Sequence, residues 1–466
     1  MNTLLAWLML SVPFVVALGL GVAVPLLALA LYRRVGAGLV FVAFFLAADA
    51  VFFGSARLQV GLNLYVNDLV YGLLGAVAAA RWAMARDMPA RPGAWVVFVL
   101  LFFASLGWGL ATHGTPAGVQ ARDLFYGIVA ASYFMSFPIG ERSLRQALGA
   151  AVVLSMVLLA VAAYRWVAYA LPVPSLLPPG GVWSADGPTR VIPSHEALLL
   201  AQVLVLGLFF HRAGAGLPLA RWLAPLTLAA VVALQHRSVW VALFIGLVAA
   251  LALAQLSRGQ RALGGRWGQA VALLAVITAT ALPLVFSERL SRLTQEVGQS
   301  AATAVAGQGT VHARLQDWRV TLRQWVDAGP QAILVGQGFG RDTARVLINE
   351  RGERRVVTFG AHNHYVSLLT QMGVLGLAAF LAFLARVVWR AAVVLRRDPG
   401  PPSLLAAAGL AVLTMQLAYY VPYGSDHWQH ALLGLLAAFG AARYREIGRP
   451  RADAARRVPL AQRIVA

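Results

Sequence analysis

The chain has 466 residues, 60% of them hydrophobic and only 12% charged, with a formal net charge of +20 and a mean hydropathy of +0.72. Soluble domains carry about 25% charged residues, so most of this surface must face lipid, and a water-soluble globular protein is excluded. All 38 basic residues are arginine and there is no cysteine, which rules out disulfides, thiolate-ligated metals and thiol nucleophiles.

Apolar runs of about 20 residues are long enough to cross a ~30 Å hydrocarbon core as helices. In chain order they fall near 4–31, 36–54, 64–84, 93–111, 121–138, 144–170, 194–211, 218–235, 237–256, 268–286, 364–389, 403–421 and 429–444. The first is long and holds Pro13 and Pro25, so it reads as a broken helix or a tight pair. It is preceded by no basic stretch and followed by no small-residue cleavage site, and it reads as a retained span. The expected fold is an all-α integral membrane protein, a polytopic bundle of about 12–14 transmembrane helices with one long, partly helical outer loop. Residues 1–286 hold the N-terminal and central spans, 287–363 the large loop, 364–444 the C-terminal spans and 445–466 a basic tail.

The arginines are distributed unevenly. Arg33, Arg34, Arg81, Arg86, Arg91, Arg142, Arg145, Arg258, Arg261, Arg396, Arg397 and the tail from Arg443 to Arg463 occupy one set of alternate segments, where acids are few. The positive-inside rule puts that set, with the C-terminus, in the cytoplasm. The charge therefore records topology and does not mark a nucleic-acid surface. The outer segments are then 55–63, 112–120, 171–193, 235–237, 287–363 and 422–428.

Polar residues at the outer ends of spans are the candidates for chemistry. Asp49 and Asp68 lie in or beside the early spans, away in sequence from the candidate arginines, and no outer carboxylate pair is spaced like a glycosidase dyad. The 171–193 segment is rich in proline and glycine and ends in Arg190, which is either a solvated residue or a ligand. His195 and Glu196 open the next span as interfacial polar residues. Arg237 lies between two apolar runs with almost no loop between them, so it is expected to be held away from bulk water. A charge at such depth costs several kcal/mol unless it is paired or lines a wet cavity, which makes function the default against simple snorkelling.

Within the large loop, Leu315, Trp318, Leu322, Trp325 and Val326 share one face of a helix expected over 311–328, with Arg319 and Arg323 on another. That helix either lies on the bilayer with its indoles down or roofs a cavity. Arg314 stands at its start, within reach of Asp317. Gly336, Gly338 and Gly340 form a tight turn where backbone packs closely; GxGxG outside a strand–helix unit is weak evidence for phosphate. His362, Asn363 and His364 follow at the mouth of a span that contains Gly373-Val374-Leu375-Gly376. An unperturbed imidazole titrates near 6.5, so His362 suits a general base. His427 and His430 near Asp426 form a second, looser cluster without metal-type spacing.

His362-Asn363, nine residues, then Gly-x-x-Gly resembles the signature of bacterial O-antigen ligases, within the superfamily that also holds O-antigen polymerases and related O-oligosaccharyltransferases. Arg237-Ser238 at an outer span end, Arg314 and Trp318 before the loop helix, and the turn from Pro330 to Gly340 match similar elements in the same order, over roughly 190–445. The resemblance implies an inner-membrane glycosyltransferase whose active site faces the periplasm. Its donor would be a glycan on undecaprenyl pyrophosphate, and its acceptor most readily the lipid A–core. Arg237 and Arg314, with Arg190, would hold the pyrophosphate through charge-assisted bonds. His362 would deprotonate the acceptor for inverting attack with no metal or cofactor. Trp318 would support the site, and Asn363 would orient His362 or cap its helix. His364 adds a second imidazole at a position that varies in the family. A polymerase or a protein O-oligosaccharyltransferase remains the alternative acceptor reading. A flippase for lipid-linked saccharides is the alternative of another class. It is opposed by the lack of internal repeats and by the placement of polar candidates at span ends, not at mid-membrane.

Overall fold

The computed structural model describes residues 21–52, 57–60, 62–88, 93–171, 182–184, 187–212, 218–257, 310–341, 344–348, 354–357, 361–398 and 400–448. It is an all-α polytopic membrane protein. Seven of the described helices are long and apolar enough to cross a bilayer. The helices are α1 (Gly21–Arg33), α2 (Val35–Phe52), α3 (Val66–Met84), α4 (Gly93–His113), α5 (Thr115–Met135), α6 (Glu141–Ala170), α7 (Ser194–Arg212), α8 (Pro218–Ala233) and α9 (Arg237–Leu256). After the large loop begins come α10 (Thr310–Asp327), α11 (Pro330–Val335), α12 (His364–Arg397), α13 (Pro401–Tyr419) and α14 (His427–Gly448). Every expected span that falls on described residues has a helix. The expected span at 268–286 and residues 1–20 lie outside the described residues.

The segments read from the sequence as outer were expected to be irregular or partly helical, and the structure departs from that. Three antiparallel hairpins occupy them: β1 (Arg57–Val60) with β2 (Leu62–Tyr65), β3 (Val182–Ser184) with β4 (Gly187–Arg190), and β5 (Arg345–Ile348) with β6 (Arg354–Val357). Away from hydrocarbon, a short loop satisfies its backbone by pairing with itself.

The alternation of the chain brings helix starts α3, α5, α7, α9, α12 and α14 to one end, here the loop end, with the ends of α2, α4, α6, α8 and α13. Side chains tie each end together. At the far end, buried Arg81 donates to the backbone oxygens of Ser136 and Tyr32 and pairs with Asp87 at 3.0 Å. Its guanidinium also lies 3.7 Å over the Phe137 ring. Arg443 pairs there with Glu141, Asp398 and Glu446. Small residues draw the core helices close. A Cβ on Gly246 of α9 would strike Met415 of α13, and one on Gly434 of α14 would meet the backbone of Ala131 in α5.

α12 is broken at Gly373, whose φ of 67° is left-handed. Interrupting the helix there frees the carbonyls of Thr370 and Gln371, which would otherwise accept from residues four further on. The segment after α11 fills the break. Gln337 N–H donates to Thr370 O at 2.8 Å, Gly338 N–H to Gln371 O at 3.2 Å, and Ser105 Oγ to Gln371 O at 2.7 Å. Gly336 and Gly373 permit this approach, because a Cβ on either would collide with the other strand's backbone. Fully buried Phe339 then wedges against Phe102 of α4. The tight turn read from the glycines is thus a plug seated in a broken membrane helix, with its freed carbonyls satisfied as hydrocarbon requires.

Candidate active site

The start of α12 is fixed from three sides. Asn363 is its N-cap, with Oδ1 accepting from Val366 N–H at 3.0 Å. Ser367 Oγ donates to Ala361 O, and His364 N–H is shared between Tyr420 O at 2.9 Å and Tyr423 O at 3.0 Å. This turn leaves His362 exposed and turns His364 inward, where it is 5% exposed. The His362 ring lies 6.2 Å from the ring of Tyr423. The His364 ring instead packs against Tyr420 at 4.7 Å, Phe380 at 5.4 Å and His430 at 6.0 Å. Of the two imidazoles in the motif, only His362 is open to a substrate.

Tyr423, in the turn between α13 and α14, organises the rest. The Arg314 guanidinium sits 4.7 Å over its ring. The Ser194 hydroxyl lies 2.6 Å from the hydroxyl of Tyr419, which stacks on Tyr423 at 5.0 Å. Arg190 is within electrostatic range of both Tyr423 and Arg237. Burial alone would raise the Tyr423 phenol, but Arg314, Ser194 and Arg190 together pull it below its ordinary value. The structure therefore gathers Arg190, Arg314 and His362 around one tyrosine, with Arg237 in electrostatic range of Arg190. Among the described residues no carboxylate forms an ion pair with Arg190 or Arg314.

One expectation is corrected. Arg237 is exposed, not enclosed. It begins α9, so its side chain leaves the helix at the loop end, and the buried place in that turn goes to His236. His236 Nε2 lies 2.9 Å from Ile192 O, and burial pulls its imidazole down to about 4, so it stays neutral beside the arginines. The α10 helix is present, but its buried face differs from the apolar one. Trp325 is buried with Nε1 donating to Ala332 O, while Leu315 and Val326 are exposed and Asp317 and Thr321 are buried. α10 packs on α11 and α12.

A second group adjoins this one. Asp426 lies between His427 at 2.9 Å and His195 at 3.4 Å. Burial would raise its carboxyl, yet the two imidazoles hold it well below the usual carboxylate range. Arg122 pairs with Asp68 at 3.1 Å, and Tyr126 donates to the same carboxylate. Buried Arg165 donates to Val191 O and Ala50 O, which ties α6 to the start of α7 and the end of α2. His195 is thus more than interfacial. Its partner stands far along the chain, and no local pattern announces it. Tyr423 was equally hidden, since a tyrosine at a span end ordinarily belongs to the aromatic belt.

Residues 222–381 match the family model described as O-antigen ligase. The matched stretch holds Arg237, Arg314, Trp318, His362 and the break at Gly373. It stops short of Arg190, Tyr423 and Asp426, and is narrower than the stretch of motif resemblance. No curated protein matches the chain.

Proposed function

With residues 222–381 forming an O-antigen ligase-family stretch, we propose that the protein is a glycosyltransferase that moves a glycan from undecaprenyl pyrophosphate to an acceptor hydroxyl, the lipid A–core in the first instance. It works in the bacterial inner membrane, with the loop end in the periplasm and the C-terminus in the cytoplasm. The observation that carries the reading is the convergence of Arg314, Arg190 and an exposed imidazole on Tyr423, with Arg237 in electrostatic range of Arg190. Arg190 and Arg314, which form no carboxylate ion pair among the described residues, suit a pyrophosphate, whose oxygens take their forked donors.

In the proposed reaction the acceptor oxygen attacks the anomeric carbon and its proton passes to His362. The carbon–oxygen bond to pyrophosphate breaks, and its electron pair stays on the oxygen held by Arg314, Arg190 and Arg237. Charge developing on that oxygen is met by donors already in place, so the leaving group needs no proton and the step needs no metal. Attack opposite the leaving group inverts the anomeric centre. Asn363 holds the turn from which His362 projects.

The test is transfer by purified protein from undecaprenyl-pyrophosphate-linked glycan, with lipid A–core and with donor alone, in the presence of a chelator. Loss of the general base costs about 10²–10⁴-fold, so His362→Ala should nearly abolish transfer to lipid A–core. Elongation of the donor's own glycan would make the protein a polymerase. Movement of donor across vesicles, independent of His362 and without transfer, would defeat the enzyme reading.

A further inference from the structure

α10 turns a polar face into the protein. Leu315 and Val326 are 40% and 51% exposed, whereas Asp317 and Thr321 are 4% and 8% exposed. Two of the atoms turned inward, Trp318 Nε1 and Thr321 Oγ1, are enclosed and have no hydrogen-bond partner. A buried N–H or hydroxyl without a partner is a standing cost that folded proteins rarely carry. A roll of less than one residue step, ~100°, would bring Leu315, Leu322 and Val326 inward and relieve it. The polar face is instead held in, continuous with Arg314.

Along that face Trp318 lies four residues beyond Arg314 and Thr321 seven, about 6 and 10 Å along the axis. This spacing is of the order of a sugar ring and its linkage. The chemistry of the stripe is selective. An indole offers a flat face and one N–H, a threonine hydroxyl both donates and accepts, and a carboxylate only accepts. The Asp317 carboxylate repels phosphate, and neither it nor the hydroxyl suits an isoprenoid chain. A polyhydroxylated ring satisfies the indole N–H and the hydroxyl, and its own hydroxyls are donors of the kind a carboxylate accepts.

We propose that Asp317, Trp318 and Thr321 form a saccharide subsite that receives the sugar joined directly to the pyrophosphate, and that the unpartnered atoms of Trp318 and Thr321 are completed by its hydroxyls. The subsite rests on the reading that Arg314 holds the pyrophosphate.

Trp318→Phe and Thr321→Val keep shape and remove only the polar atoms. Binding to the purified protein in nanodiscs is measured for undecaprenyl-pyrophosphate-linked oligosaccharide and for undecaprenyl pyrophosphate without sugar. The double variant should bind the sugar-bearing lipid about ten-fold or more weakly, each lost hydrogen bond contributing roughly three- to ten-fold. It should bind the bare lipid as wild type does. Its ligand-free melting temperature should rise, because two unpartnered buried groups are gone. Equal weakening for both lipids, or weakening for neither, overturns the subsite. Arg314→Ala separates the two levels, since it should weaken both lipids. If it binds both normally, or if wild type binds neither, the pyrophosphate reading falls and the subsite with it.

Discussion

The arginines at the two ends of the bundle live under different rules. At the far end Arg81 is 3% exposed, saturated by backbone oxygens and an aspartate, and capped by an aromatic face; Arg443 draws in three carboxylates. At the loop end Arg190 and Arg314 stand beside Tyr423 with no carboxylate ion pair among the described residues. Where the protein wants a fixed joint it neutralises the guanidinium internally. Where it keeps positive charge uncancelled, the charge is available to something that arrives. Position relative to a carboxylate, more than arginine content, separates scaffold from site.

That contrast can be broken by exchanging what each end loses. Arg314→Ala should cut glycan transfer by about 10²–10³-fold, the cost of one donor to developing charge, with the melting temperature nearly unchanged. Arg81→Ala should do the reverse: detergent-solubilised protein should lose about 3 kcal/mol of stability through several charge-assisted bonds, while turnover per folded molecule holds. If both variants behave alike, the distinction fails. Gly373→Ala joins the two kinds of effect. A left-handed φ costs a non-glycine residue about 1–3 kcal/mol, and the new Cβ would also collide with Leu334 O, so protection of the 336–340 backbone in hydrogen exchange should drop. Tyr423→Phe keeps the face under Arg314 and removes only the hydroxyl, for a loss in transfer of roughly ten-fold. The smallest effect concerns His236. Its folded value of about 4 lies below the ordinary 6.5, so the unfolded chain takes up the proton first. Stability should therefore fall as pH drops from about 6.5 towards about 4, and His236→Gln should flatten that slope in acid-side melting curves.

Hydrophobicity made the helices legible, since each membrane span leaves a run of about 20 apolar residues whatever its neighbours are. The His362–Gly376 stretch was legible as a motif, and the structure supplies its physical content. Asn363 caps the helix, and Gly373 is where the helix breaks to admit the turn of Gly336 and Gly338. The hairpins were not legible, because paired strands of three or four residues leave no periodicity to detect. The rotation of α10 was not legible, because counting apolar side chains cannot register a cation–aromatic contact between Arg314 and a tyrosine more than 100 residues away. Arg237 was read as enclosed because closeness of two spans in sequence says nothing about which residue of the turn fills the interior. His236 does.

The break in α12 has a mechanical consequence. An uninterrupted helix is a stiff rod, and a change in bilayer thickness or tilt acting on its lipid-facing length would swing its tip. Here the rod ends at Gly373. The short stub above it is clamped by the plug from Gln337 and Gly338 and by the carbonyls of Tyr420 and Tyr423. His362 is therefore referenced to its neighbours in the loop region and insulated from the elastic state of the membrane, so reaction geometry should stay constant across bilayers that strain the lower helix differently.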